Sequence, residues 1–173
     1  MSEPSLLRAM GVPVPGEISL DRGALHVAMT VKPAASLPIT VWAIDRCVGI
    51  GEIGVAQLDG DDAFAAMTGT APIPSPSAQR LVAPLSLTAS RHLRDDLERA
   101  DLLRLGHVPL TGNDGLTMSV LAHWPAWGTR SFSAWEPRGA HRTVMIRLVE
   151  IAYARFAATP WAAVPLMRAR EPA

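Results

Sequence analysis

Cys47 is the one cysteine in a chain of 173 residues, and five histidines are its available bases: His26, His92, His107, His123 and His141. A nucleophilic thiol needs such a base within hydrogen-bond reach, itself oriented by a third group. Spacing along the chain supplies no such pair, and Cys47 falls in an apolar run, where a thiol behaves as a small buried hydrophobe. The histidines form none of the HxH, HxxxH or HExxH pairs that aim two ring nitrogens at one ion, and a lone cysteine cannot make CxxC. No metal site is therefore expected. The single thiol also excludes an internal disulfide framework and fits a reducing, cytoplasmic setting.

Around that cysteine, the segment ITVWAIDRCVGIGEIG (residues 39 to 54) offers phosphate chemistry. Gly49, Gly51 and Gly54 spell GxGxxG after a predicted strand, the arrangement in which bare backbone approaches a pyrophosphate at a helix N-terminus. Gly60 interrupts the helix that should follow and no βαβ unit surrounds the motif, so a dinucleotide site is not expected. The overlapping pattern Arg46-x-x-Gly49-x-Gly51 resembles, over six residues, the acyl-CoA loop of the GNAT acetyltransferases. The resemblance implies a small acyl-CoA-dependent N-acyltransferase in which Arg46, Gly49 and Gly51 cradle the cofactor. Taken without it, the residues read as a glycine-rich hairpin or bulged strand.

The stretch HWPAWGTRSFSAWEPRGAHR, residues 123 to 142, holds three of the five tryptophans together with Arg130, Arg138 and Arg142. Trp and Arg dominate binding hot spots because they bury large, rigid area and can stack or fork. Trp124, Trp127, Arg130, Trp135 and Arg138 are the candidate partner-binding residues, and the competing reading has the indoles pinning an irregular loop to the core. The same residues could stack bases, but 16 basic against 16 acidic side chains argue against a dedicated nucleic-acid binder.

Composition points the same way. Charged residues make up 18% of the chain against about 25% in ordinary soluble domains, while 49% is hydrophobic. So thin an ionised coat leaves apolar surface over, and large exposed apolar patches mark partner-binding faces. No run of 18 apolar residues exists, so no membrane span is expected, and the N-terminus lacks the pattern of a secretory signal. The sequence thus favours a non-catalytic assembly or adaptor subunit that associates with itself or another protein. The small acyl-CoA-dependent enzyme is the alternative.

These residues need elements to hold them. Residues 3 to 10 read as a short helix ended by Gly11. Ile18 to Val31 reads as two strands about Arg22 and Gly23, Ile39 to Ile44 as a strand, and Asp59 to Met67 as a turn or two of helix. Residues 69 to 79, with three prolines, form a connector, and Arg80 to Leu87 with Pro84 reads as an edge strand. Ser90 is the expected N-cap of an amphipathic helix near 90–105 that Gly106 ends, with Arg91–Asp95, Arg94–Glu98 and Asp95–Arg99 as four-apart pairs. After the Asn113-Asp114-Gly115 turn comes a strand from Leu116 to His123, then the irregular Trp-rich stretch. A long C-terminal helix over Arg142 to Ala158 is apolar on most of its circumference, which places it in the core or at an interface. The fold class expected is α+β: a single domain over residues 1–173, mostly antiparallel sheet with these two helices.

Overall fold

The computed structural model describes residues 3–33, 37–60, 78–109 and 115–170. Strands β1 (Leu25–Lys32), β2 (Ile39–Asp45), β3 (Gly51–Leu58), β4 (Ala78–Leu85), β5 (Thr117–Trp124) and β6 (Gly128–Trp135) form one sheet in the order β4-β3-β2-β1-β5-β6. Every neighbouring pair is antiparallel. Four helices accompany it among the described residues: α1 (Glu3–Ala9), α2 (Leu87–Arg99), α3 (Gly139–Phe156) and α4 (Pro160–Arg170). The α+β reading holds.

Period-two alternation explains the layering. Leu25, Val27, Met29 and Val31 of β1, with Ile53 and Val55 of β3 and Met118 and Val120 of β5, point to one face and join α2, α3 and α4 in the larger core. Ala28, Trp42, Ile44, Ala56 and Leu121 point to the other, where α1 and the segment carrying Met10, Val12 and Val14 close a smaller core. All seven residues of β2 are buried, which fits a central strand covered on both faces. β4 lies at an edge, as Pro84 indicates, because an outermost strand tolerates a missing N–H. At the opposite edge the Val108 N–H donates to the Ser133 carbonyl and the Ser133 N–H to His107 Nδ1 (3.1 Å), capping part of β6.

Several expectations need correction. Residues 18 to 24 are irregular and form no strand before β1. The 123–142 stretch is no irregular loop, since Gly128–Trp135 is strand β6. Helix α2 begins at Leu87, capped by Ser86, whose side chain accepts the Ala89 N–H at 3.2 Å, and Ser90 is buried inside it. The left-handed residue that follows is Asp101 (φ 51°) rather than Gly106, and Leu102–Arg104 is a separate 3₁₀ turn. The expected four-apart pairs give way to two tertiary ones, Arg94 with Asp45 and Arg147 with Asp96, and to a three-apart pair, Arg99 with Asp96. Helix α3 ends at Phe156 and a further helix, α4, follows. The apolar circumference of α3 is accounted for by burial between the sheet, α2 and α4. The Asp59–Met67 turns beyond Gly60, the connector up to residue 77 and the Asn113-Asp114 turn lie outside the described residues.

Candidate interaction surface

Antiparallel register brings four separate loops to one end of the sheet. Leu25 pairs with Asp45, Gly51 with Leu85, His26 with His123 and Trp124 with Gly128. The start of β1, the β2–β3 turn, the β4–α2 junction and the β5–β6 turn therefore lie side by side. Four of the nine exposed large hydrophobic residues among the described ones sit there: Val48 (80% exposed), Ile50 (74%), Leu87 and Trp127 (67%).

Each loop has a physical reason for its shape. Gly49 turns the β2–β3 hairpin with φ 102°, a conformation that side chains resist. Asp45, nearly buried at the end of β2, accepts the Cys47 N–H at 2.9 Å and the Arg94 Nε–H at 2.8 Å. Burial opposes the Arg94 charge, but the hydrogen bond and Coulomb attraction of Asp45, with Cys47 adding, outweigh it and raise the Arg94 pKa. This pair pins α2 across the top of the sheet and holds the hairpin tip outward. In the β5–β6 hairpin the Trp127 N–H donates to the Trp124 carbonyl at 2.9 Å, which closes a tight turn centred on Pro125 and Ala126 with Trp127 as its last residue.

Between that turn and the end of α2 lies an open groove of about 220 Å³, lined by Leu97, Leu102, Leu103, Trp124 and Trp127 and rimmed by Glu98 and Asp101. A dry cavity of about 150 Å³ suffices to hold benzene, so the groove has room for an aliphatic side chain. The two tryptophans differ. Trp124 is 7% exposed and belongs to the larger core, forming the floor, whereas Trp127 is the wall a partner would touch.

The predicted partner-binding residues are thus divided. Trp124 and Trp127 share the groove, and Arg130 is exposed two residues into β6. Trp135 and Arg138 lie at the opposite end of β6, an eight-residue strand, beside a second hollow of about 340 Å³ with Val108, Pro137 and His141. That strand separates the two groups by about 25 Å. Composition alone missed Val48 and Ile50, although two β-branched residues in a glycine turn carry a signal, since nothing local can bury them.

Cys47 is exposed rather than buried, in a left-handed conformation (φ 63°), with Arg94 Nη1 3.8 Å from Sγ. The histidines' hydrogen bonds lead elsewhere: His123 to Thr129, His107 to Ser133 and His141 to the Gly106 carbonyl. His26 is fully buried; neither ring nitrogen finds a partner in good hydrogen-bond geometry among the described residues, although the Pro13 carbonyl lies near enough to act on the ring. No group of three metal-ligating side chains occurs among them either.

Arg46, Gly49 and Gly51 do stand together, but in a hairpin joining two antiparallel strands, not in a strand-to-helix turn that offers free amides. A Cβ on Gly51 would meet the Ile44 carbonyl, and one on Gly54 would enter the Trp42 indole. At Gly51 and Gly54 the bare backbone is used by the protein's own atoms, whereas Gly49 faces open space and serves the turn through its positive φ. Compared with known protein families, curated proteins and solved structures, the chain gives no significant match.

Proposed function

We propose that the chain is a non-catalytic assembly or adaptor subunit that works by protein–protein association through the loop end of its sheet. One observation carries this reading: Trp127, two-thirds exposed in the tight β5–β6 turn, forms the wall of an apolar groove with two acidic residues on its rim. An indole on water is a poor use of the largest apolar side chain unless a partner covers it, and Trp is the residue type most enriched among binding hot spots. Val48 and Ile50 extend the apolar row from the neighbouring hairpin. Arg46 beside them, also exposed, supplies charge at the edge, the usual plan of an apolar centre with a polar rim.

The test is a binding comparison of the native chain with Trp127→Ala, each immobilised and exposed to extract from the source cells, with retained proteins identified and rebound in purified form. A defined partner held by the native chain and lost by the variant supports the reading. If the native chain retains nothing and stays monomeric at high concentration, the reading fails.

A further inference from the structure

Charge and shape at the loop end are divided in a way that suits a second copy of the same chain. The β2–β3 hairpin is a projecting apolar tip, Val48 and Ile50, beside the exposed Arg46. Arg22, three residues before β1, is also exposed, but its neighbour Asp21 is exposed too, so the positive charge of the tip rests on Arg46. Among the described residues neither guanidinium forms a hydrogen bond or ion pair; Arg46 is held through its backbone carbonyl, which accepts the Val48 N–H. The β5–β6 side is the reverse, an apolar recess between Trp127 and Leu103 with Glu98 and Asp101 on its rim. Asp101 is tied only to the exposed Arg104, at 3.5 Å, a contact that costs little to exchange.

A basic tip and an acidic recess on one surface are complementary under a two-fold rotation. Sheet order puts β1 midway between the two hairpins, since β2 and β3 lie on one side of it and β5 and β6 on the other. The hairpin centres are three strand spacings apart, about 14 Å. A two-fold axis normal to the sheet, passing just beyond the start of β1, sets each β2–β3 tip opposite the partner's β5–β6 hairpin, beside which the recess opens. Both contacts then form at once, as an isologous interface requires.

We propose that the protein is a homodimer in which Val48 and Ile50 of each copy enter the Trp127–Leu103 groove of the other, with Arg46 facing Glu98 and Asp101. This rests on the association reading above and names its partner. A dimer of standard size hides about 800 Å² per copy. The chain exposes 8691 Å² in all, so the loop end need supply only about a tenth of its surface.

The lone cysteine gives a geometric test. In this arrangement each Cys47, at the end of β2, stands about one strand spacing from the axis, so the two are about 10 Å apart, beyond the Cα separation of about 7 Å that a disulfide spans. Each Cys47 instead faces the partner's β5–β6 turn. Mild oxidation of the native protein should leave it uncrosslinked, whereas Ala126→Cys should give a disulfide-linked dimer through Cys47 and the introduced thiol. Ala126→Cys combined with Cys47→Ser should again give none.

Sedimentation across a wide concentration range should show a monomer–dimer equilibrium. Arg46→Glu and Glu98→Arg should each weaken it by about tenfold or more, and the double variant should recover most of the loss, as for close interfacial charge pairs. Circular dichroism confirms that these surface variants are folded. A Cys47–Cys47 crosslink in the native chain would refute this geometry, as would dimerisation indifferent to both charge reversals. A strictly monomeric native chain that still retains another protein through Trp127 overturns the homodimer and spares the adaptor reading. A monomer that retains nothing overturns both.

Discussion

Gly54→Ala is a one-carbon change with a large expected effect. Gly54 of β3 lies directly across from Trp42 of β2, and the indole lies over the glycine where a side chain would stand. A Cβ built there falls 2.1 Å from Trp42 Cζ2 and 2.4 Å from two other ring carbons. Ordinary contact begins near 3.4 Å, so the ring must move by more than an ångström. It has nowhere cheap to go. Trp42 is fully buried against Val12, Val14 and Met10, with its Nε1–H directed at Glu52 Oε1 (3.4 Å). Overpacking of this kind costs about 1–3 kcal/mol, and the rigidity of the ring places this case near 3. Urea denaturation followed by far-ultraviolet circular dichroism reads the change directly. Trp42→Leu carries its own cavity cost but leaves room for the methyl. In that background the alanine should be nearly silent, giving a coupling of about 2 kcal/mol or more. A Gly54→Ala protein within about 0.5 kcal/mol of native, or strictly additive costs, would refute the claim that packing requires this glycine.

Four other expectations are open to measurement. His26 is held near a pKa of about 4, first by burial and then by His123 and Arg46, with the Pro13 carbonyl opposing; because the unfolded chain binds a proton near 6.5, stability should fall as pH drops between these values and level off below. The full effect is about 3 kcal/mol, and His26→Leu should flatten the urea midpoint over that range. Glu3 works in the opposite direction, since burial raises its carboxyl to about 7 and Oε1 has no partner, so the stability it confers at low pH is lost as pH rises from about 4.5 through 7. Glu3→Gln should therefore stabilise the protein above neutrality, by about 1–2 kcal/mol because α1 can detach locally before the whole fold does. Asp45→Ala should cost about 2–3 kcal/mol in chemical denaturation, since it strands the half-buried Arg94 and the Cys47 amide together. Trp127→Ala should leave the unfolding midpoint within about 0.5 kcal/mol of native while abolishing association, because an exposed indole contributes to binding rather than folding.

Elements with a strong local period were legible in the sequence. Leu25 to Val31 alternates cleanly and forms β1, the Ile39 run forms β2, and Pro84 marks an edge. What escaped depended on partners remote in the chain. Helix α2 starts at Ser86 rather than Ser90 because Leu93 and Leu97 must meet the sheet while Arg94 reaches Asp45, 49 residues away. Helix α4 was hidden by Pro160 and Pro165, which read as breakers. Pro160 occupies the first helical position, where its missing N–H matters little, and the buried Leu166 and Ala169 offset the cost of Pro165. Strand β6 was masked by tryptophans and arginines, which suit an exposed edge as well as they suit a loop.

The site was partly legible for a similar reason. A shortage of charge over the whole chain suggested leftover apolar surface without saying where. Much of that excess goes inward: the segment carrying Met10, Val12 and Val14 covers one sheet face, and α4 packs against both α3 and the other face. Scattered exposed residues such as Val82, Val108, Val164 and Met167 are ordinary for a folded chain. The informative fact is that Val48, Ile50 and Trp127, the three most exposed large hydrophobic residues among the described ones, span 79 positions of sequence (127 minus 48) yet lie at one end of the sheet. Only the crossover that places β5 against β1 instead of β4 brings the two hairpins within about 14 Å. Without that topology, Cys47 to Ile50 is a glycine turn and Trp124 to Gly128 a separate hairpin, neither large enough to bind anything. Function on this reading belongs to strand order, so a circular permutation that keeps the order while moving the termini should preserve association, and side chains alone grafted onto another hairpin should not.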